Sequence, residues 1–443
     1  MRTLLGASLQ RPDAVGKVNG AAAYPADLVR PGMLHLKVVF AQRPHARIRD
    51  IDPSAALRHP GVVAVLTAAD VPYNAYGLID ADQPVLCGDV VRFEGDKVAL
   101  VVAEGKAAAA EGARLVAVDR YAAIGGAFGG REDLSIQHLL ALATWKLRRP
   151  TALVWSPEES IVGHHKRHPM SFRCRWAVTR DGKITAVEAE VIADGGAYAS
   201  TSVEVVKVAT LFSSGCYEVP NVALDGCAVY TNNVPCGAFR GFGAPQAQFA
   251  AELMVTRLAH ALGLDPVELR RRNIYREGSI EPTQQPLPAG VSALPVLERC
   301  VEEARARLRY DAPRRHPAPH RRRGIGIACG MKNVGYSFGF PEQCTATVEL
   351  FGRAEYEQAR VRIGAADVGQ GAHLILRQIA AEALELPIEK VEMVCDDSSQ
   401  TPNAGSASAS RLTQMAGRAI CDAVADARKA WWDGAQDIAF ESI

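Results

Sequence analysis

No CxxC pair occurs among the ten cysteines of this 443-residue chain. Iron–sulfur clusters and structural zinc sites draw on closely spaced thiolates, so neither is signalled, and the cysteines read as reduced, mostly buried thiols. An excess of one charge is missing too. The formal net charge is +1, which gives neither nucleic acid nor an acidic membrane a reason to be the main partner. No apolar run reaches the length of a bilayer span. The opening "MRTLLGASLQRPDAVG" has one early arginine, no twin arginine and no apolar stretch before a cleavage site, so a cytoplasmic location is expected. The dinucleotide fingerprint GxGxxG is absent in the strand–loop–helix form it needs, and the one GxSxG match, GYSFG at 335–339, runs into Phe340-Pro341 and not into the helix that a nucleophile elbow needs. A nucleotide-binding dehydrogenase and a serine hydrolase therefore have little support. The chain also has no internal repeat and no long low-complexity tract.

What is present is globular material. Hydrophobic residues make up 48% and charged residues 22%, enough at this length for two or three units with cores of their own. "GMLHLKVVF", "GVVAVLTAADV" and "DKVALVVAE" read as strands, and "GKAAAAEGARLVAV" predicts a helix leading into another. Ile136, Leu139, Leu140, Ala143 and Leu147 keep helical spacing and predict a helix over 132–148. "AVTRDGKITAVEAEVIAD" predicts a hairpin turned at Asp181-Gly182, with Val187, Ala189, Val191 and Ala193 alternating along its second strand. Apolar spacing predicts further helices over 245–263 and 371–385. "DAPRRHPAPHRRR" (311–323) could be a phosphate-binding patch, but its prolines favour a solvated linker, and "GIGIACG" after it predicts a new strand. The expected units are 1–121, 122–322 and 323–443.

Four loops of small residues stand out: "GGAFGGRED" (125–133), "GAFRGFGAPQ" (237–246), "ADVGQGAH" (366–373) and "NAGSASASR" (403–411). Glycine lets a ligand approach the backbone closely, and a helix start behind such a loop adds a positive dipole end. Each loop alone is equally a turn or a flexible connection. Four of them, each before an expected helix, suit one large anionic ligand held at a point of convergence. His164, His165 and His168 in "HHKRH" could suggest a metal, but a solvated polar loop is the expectation.

At these loops, taken in order, the sequence resembles the molybdenum-binding large subunit of the xanthine dehydrogenase and aldehyde oxidase family, and the resemblance covers nearly the whole chain. It implies an α+β fold: an N-terminal α/β-hammerhead domain, then a molybdenum-cofactor-binding α+β region of two subdomains. It implies that Gly126 and Phe128 approach the metal, and that Arg240, Gly369, Gln370, Ala407, Ser408, Ala409 and Ser410 hold the pterin and its phosphate. Glu132 would face the substrate and Phe242 would pack near it. No side chain would ligate the metal, which the pterin's dithiolene sulfurs hold. The implied cofactor is molybdenum–molybdopterin in its cytosine dinucleotide form. The implied reaction is hydroxylation of an aldehyde or N-heterocycle with water-derived oxygen. Electrons would leave through 2Fe–2S and FAD centres on an iron–sulfur small subunit and an FAD-binding medium subunit, in a dimer of heterotrimers.

The chain also departs from the family pattern. "ARLVAVDRY" runs almost directly into "AAIGGAFGG" where the family has a long stretch, so the join at Tyr121–Ile124 reads as an internal deletion. The family's general base belongs to a C-terminal region beyond the position of Ile443. Val208 stands where purine-oxidising members place an arginine, and Gly241 where the carbon monoxide enzymes place a cysteine; Cys236 does not match that position. These departures leave a second reading, a catalytically inactive or split remnant serving as a fold or partner-binding module. An apolar surface uncovered by the deletion would make the chain less soluble than its composition suggests.

Overall fold

The computed structural model describes residues 4–104, 125–308, 320, 324–336, 340–395, 397–432 and the backbone of 439–442. The helix and strand expected over 105–118, the join at Tyr121–Ile124 and nearly all of the linker at 311–323 lie outside the described residues. Among the described residues no helix is long and apolar enough to cross a membrane.

The chain opens with α1 (Ala14–Val18), and the first unit contains β1 (Leu34–Phe40), β2 (Ala46–Arg47), α2 (Ser54–Leu57), β3 (Val62–Leu66), β4 (Val90–Val91) and β5 (Lys97–Ala103). Leu34, Leu36 and Val38 alternate inward along β1 while His35 and Lys37 face out, the period-two pattern of a strand with one face on a core. β5 pairs antiparallel with both β1 and β3. The sheet then gains β6 (Thr151–Ala152), parallel to β1, which follows α3 (Gln137–Leu147). Leu139, Leu142 and Ala143 of α3 and Leu153 share one core with the β1 leucines. The helix after the first glycine loop thus completes the core of the N-terminal unit. It starts at Gln137, with 134–136 between it and the loop, so this loop is not directly at a helix start as expected. The turn from Gly129 to Glu132 and the burial of Asp133 hold the end of the loop in place.

The second unit follows with α4 (Pro157–Gly163), β7 (Met170–Val178), β8 (Ile184–Gly196), α5 (Ser202–Leu211), β9 (Asn221–Tyr230), α6 (Ala244–Leu262), α7 (Pro266–Asn273) and α8 (Ala293–Leu308). The β7–β8 hairpin turns where expected. Thr179 and Lys183 close the ladder, Gly182 takes a positive φ, and Val187, Ala189, Val191 and Ala193 point into the core. Ser156 and Glu159 form a capping box that starts α4, and the Asp265 carboxylate caps α7. Tyr217, Val255, Leu269 and Ile274 lie in the core of this unit.

The third unit holds β10 (Ala346–Gly352), β11 (Tyr356–Arg362), α9 (Ala372–Leu384), β12 (Val391–Val394), α10 (Leu412–Trp432) and β13 (Ala439–Ser442). Strand order is β12-β11-β10-β13; β11 and β12 are parallel, and α9 lies between them in the chain. Val348, Val361, Leu376 and Ile420 meet in one core.

Three expectations need correction. "GIGIACG" is not a strand. It runs past α6, where the Glu252 carboxylate accepts from Cys329 N at 3.0 Å and the Gln248 side chain binds Met331 N at 3.2 Å. Most of 324–330 is open to water and Glu252 takes up Cys329 N, so the segment needs no neighbouring strand. The "HHKRH" segment is not a solvated loop: His165, beside Asp133, is 6% exposed and His168, on Ser202 of α5, is 2% exposed. The ten thiols are free, but only Cys87, Cys216, Cys236 and Cys344 are buried, and Cys227 and Cys300 are exposed.

Candidate functional site

The first two loops form one structure. Gly130 N donates to Ala127 O at 2.9 Å and Glu132 N to Gly129 O at 3.0 Å, so 127–132 is two overlapping turns. Phe128 sits at φ 54°, which a bulky residue adopts only under tertiary constraint. The constraint comes from the second loop, where Arg240 N donates to Phe128 O at 2.8 Å. Gly129 must be glycine: its φ is +92°, and a Cβ would lie 2.9 Å from Ala238 O and 3.1 Å from Phe239 Cα. Gly237 is equally fixed, because a Cβ there would overlap Asp133 Oδ2. Arg167 braces the second loop from behind. Its Nη2 donates to Arg240 O at 2.7 Å, and its guanidinium lies 4.5 Å from the centre of the Phe239 ring. At the surface stand Phe128, 60% exposed, and the side chains of Phe239 and Arg240. Phe242 is half-buried, against the core that contains Phe212 and Ala247.

Under the first loop lies a buried polar group of side chains. Ser200 Oγ donates to Asp133 Oδ1 at 2.6 Å, and His165 Nε2 is 3.6 Å from the same oxygen. Asp133 Oδ2 and both ring nitrogens of His165 have no hydrogen-bond partner among the described residues. Burial pushes the Asp133 carboxyl up to about 6. Burial, with the Asp133 charge adding to it, pushes Glu132 up to about 7. Burial holds His165 down at about 3, so its ring is neutral near neutral pH. Glu132 is therefore a carboxyl that can hold or release a proton near pH 7, in the same loop as the exposed Phe128.

The third and fourth loops belong to the third unit. Asp367, 7% exposed, accepts from Gly369 N at 2.8 Å and Gly371 N at 3.3 Å, and α9 begins at the next residue. Gln370 folds back: its Oε1 accepts from Val368 N at 2.6 Å and its Nε2 donates to Ala366 O at 3.0 Å. In the fourth loop Ala409 and Ser410 both take positive φ, 52° and 55°. Arg411, with no exposure, organises them. It pairs with Glu342 Oε2 at 2.6 Å and donates to Ala404 O at 2.7 Å and Gln343 O at 2.6 Å. Gly335 N donates to Ala409 O at 2.9 Å, so the segment leaving Met331 ties the fourth loop to α6 and hence to the second. Gly364 N donates to Pro402 O at 2.9 Å, joining the strand ends that carry the third and fourth loops.

The structure thus brings Gly126, Phe128, Glu132, Arg240 and Phe242 into one linked pair of loops. It sets Gly369, Gln370, Ala407, Ser408, Ala409 and Ser410 on the other. Residue patterns alone did not single out Asp133, Arg167, Asp367 or Arg411. Their signal was only adjacency to the loops, since a bracing charge has no motif of its own. Two surface concavities, one along α8 at Pro295–Ala306 and one between α5 and β9, touch none of the four loops.

Residues 19–122 match the aldehyde oxidase and xanthine dehydrogenase a/b hammerhead domain, and residues 112–274 and 299–439 each match a molybdopterin cofactor-binding domain. The nicotinate dehydrogenase large molybdopterin subunit of Eubacterium barkeri is 31% identical over 419 residues, covering 70% of this chain and 99% of that protein. The chain belongs to the xanthine dehydrogenase and aldehyde oxidoreductase family of molybdopterin-binding proteins. A probable xanthine dehydrogenase subunit of Bacillus subtilis is 28% identical over 518 residues, covering 93% of this chain and 68% of that protein. The aldehyde oxidoreductase structure from Desulfovibrio gigas superposes with a TM-score of 0.84 at 25% identity. That match covers 99% of this chain, which spans 63% of that structure's length. The Bacillus alignment, at 518 positions, is longer than the 443-residue chain itself, so that relative has internal sequence with no counterpart here.

The donor set fits a molybdopterin. Backbone N–H groups, small side chains and the exposed guanidiniums of Arg131 and Arg240 suit a pterin's amide edge and a phosphate. Among the described residues no group of three or more His, Cys, Asp or Glu side chains could hold a metal ion.

Proposed function

We propose that this chain is the molybdopterin-binding subunit of a multi-subunit hydroxylase acting on an N-heterocycle or an aldehyde. The observation that carries the reading is the linkage of the four small-residue loops. The first two are joined by the Arg240–Phe128 backbone bond, and the fourth is joined to α6 through Gly335 and Met331. Gly126 and Phe128 would face the metal. Arg240, Gly369, Ala407, Ser408, Ala409 and Ser410 would hold the pterin and its phosphate. Gln370 would contribute backbone groups while its side chain keeps its local bonds. The bound cofactor, proposed in its cytosine dinucleotide form, supplies two-electron oxidation with oxygen taken from water. Phe242 packs beside the substrate. Glu132 orients it and holds a proton at its carboxyl near neutral pH.

The substrate class follows relatives that are named for nicotinate and for aldehydes. Electrons would pass to a 2Fe–2S small subunit and an FAD-binding medium subunit, in a cytoplasmic dimer of heterotrimers. A second reading, an inactive or split remnant, is favoured by one observation: the relatives' internal sequence with no counterpart here. Co-expression with candidate partner subunits, followed by dye reduction over N-heterocycles and aldehydes, separates the two. The first reading expects turnover of one class, with kcat/KM lowered about a hundredfold in Glu132→Gln. A molybdenum-loaded complex that turns over neither class supports the remnant.

A further inference from the structure

The N-terminal arm does not stay with the first unit. Residues 4–18 precede the stretch that matches the hammerhead domain, and Leu4, Ala7 and Arg11 touch the third unit. Leu4 packs on that unit's core, and Leu4 N donates to the Glu382 carboxylate on α9 at 2.6 Å. Gln378 Nε2, from the same helix, donates to Leu4 O at 3.0 Å and to Ala7 O at 3.3 Å. The arm then reaches the third glycine loop. Arg11 Nη1 donates to Gly369 O at 2.6 Å, and Arg11 Nη2 lies 3.8 Å from Asp367 Oδ1. Arg11 is itself held. Its Nε and Nη2 form a fork on the Asp13 carboxylate at 2.9 and 2.7 Å, and Lys17 Nζ sits 2.6 Å from the same carboxylate. These two cations keep Asp13 well below the ordinary carboxylate range, so the fork is charged throughout the neutral range.

The consequence follows from peptide geometry. A trans peptide is planar, so its C=O and the next N–H point in opposite directions. Pinning the Gly369 carbonyl oxygen on Arg11 aims the Gln370 N–H away from the arm. Asp367 meanwhile gathers the Gly369 and Gly371 N–H groups beneath the loop. Glycine at 369, with φ +107°, has no side chain to settle the peptide's orientation, so an outside contact must do so.

We propose that Arg11 is a positioning residue for the cofactor: braced by Asp13, it sets the 369–370 peptide so that the third loop presents its backbone donor to the pterin. This rests on the molybdopterin-binding reading above. The proposal is tested on the full chain, co-expressed with partner subunits, as wild type, Arg11→Ala and Arg11→Lys. Three readings are taken: Tm, hydrogen–deuterium exchange across 366–372 in cofactor-free protein, and pterin and molybdenum per chain. In Arg11→Ala we expect exchange across 366–372 to rise about tenfold, the scale of one lost charge-assisted hydrogen bond, with Tm little changed. Pterin retention should fall several-fold, and Arg11→Lys should restore part of it by returning a cation to Gly369 O. Unchanged exchange in Arg11→Ala would overturn the proposal, as would wild-type pterin retention in that variant. Wild-type protein that takes up no pterin removes the cofactor reading itself. The exchange data then still decide whether Arg11 sets the loop.

Discussion

Glu132 and Asp133 lie side by side, and burial raises both, to about 7 and about 6. A group whose folded pKa lies above its unfolded value adds stability that is complete below the unfolded pKa and is lost as pH rises through the folded one. The pair should therefore cost stability progressively between about pH 4 and pH 7. Glu132→Gln should match wild type at pH 4 and exceed it at pH 8 by on the order of 1–3 kcal/mol, read from urea midpoints at each pH. The buried histidines act oppositely. His138 and His165 are held down at about 3, so their contribution is present above pH 6.5 and is lost as pH falls. Comparing variant with wild type at each pH isolates the carboxyl from this background. An unchanged difference across the range would contradict the desolvation of the half-buried Glu132 carboxyl. Gly129 gives a second residue-scale expectation. Gly129→Ala should destabilise by about 2 kcal/mol, because positive φ and the Ala238 carbonyl both oppose a Cβ. Thermal unfolding no different from wild type would remove the close approach of the two loops.

At the scale of elements, strands and hairpins were legible because they are written locally. The Asp181-Gly182 turn and the inward run of Val187, Ala189, Val191 and Ala193 need only near neighbours. "GIGIACG" misled because extended backbone can be satisfied by water and by a side chain, here Glu252, as well as by a partner strand. "HHKRH" misled because polarity was taken for exposure, whereas His168 is buried on Ser202 Oγ at 2.8 Å. The four loops could be read as a set in the sequence, but the charges that brace them could not. Arg411 reaches Glu342 across 69 positions, and Arg11 acts across 358. Arg411 also carries an expectation. It is wholly buried, so Arg411→Ala would leave Glu342 and several carbonyls without their partner, at a cost of about 3–5 kcal/mol. Proteolysis should then cut first within 403–411. Protection equal to wild type would mean that the positive φ of Ala409 and Ser410 is held by something else.

At the scale of the whole molecule, large apolar side chains stand exposed among the described residues. Phe249 and Leu253 stand one turn apart on α6 at 68% and 49% exposed, and Val154 and Ile161 flank the first unit at 61% and 67%. The relatives' additional internal sequence offers a reason, since a segment absent here would leave its contact surface open. The chain alone should therefore associate, giving a concentration-dependent mass in light scattering that candidate partner subunits suppress. A monodisperse monomer with a single cooperative melt would argue against that. The central claim is that the four loops close around a molybdopterin, and metal content tests it most directly. The chain, co-expressed with its partner subunits in a molybdate-fed host, should carry close to one molybdenum and one pterin per chain. Folded, soluble protein with neither would contradict the account and leave the loops as a family scaffold without its cofactor.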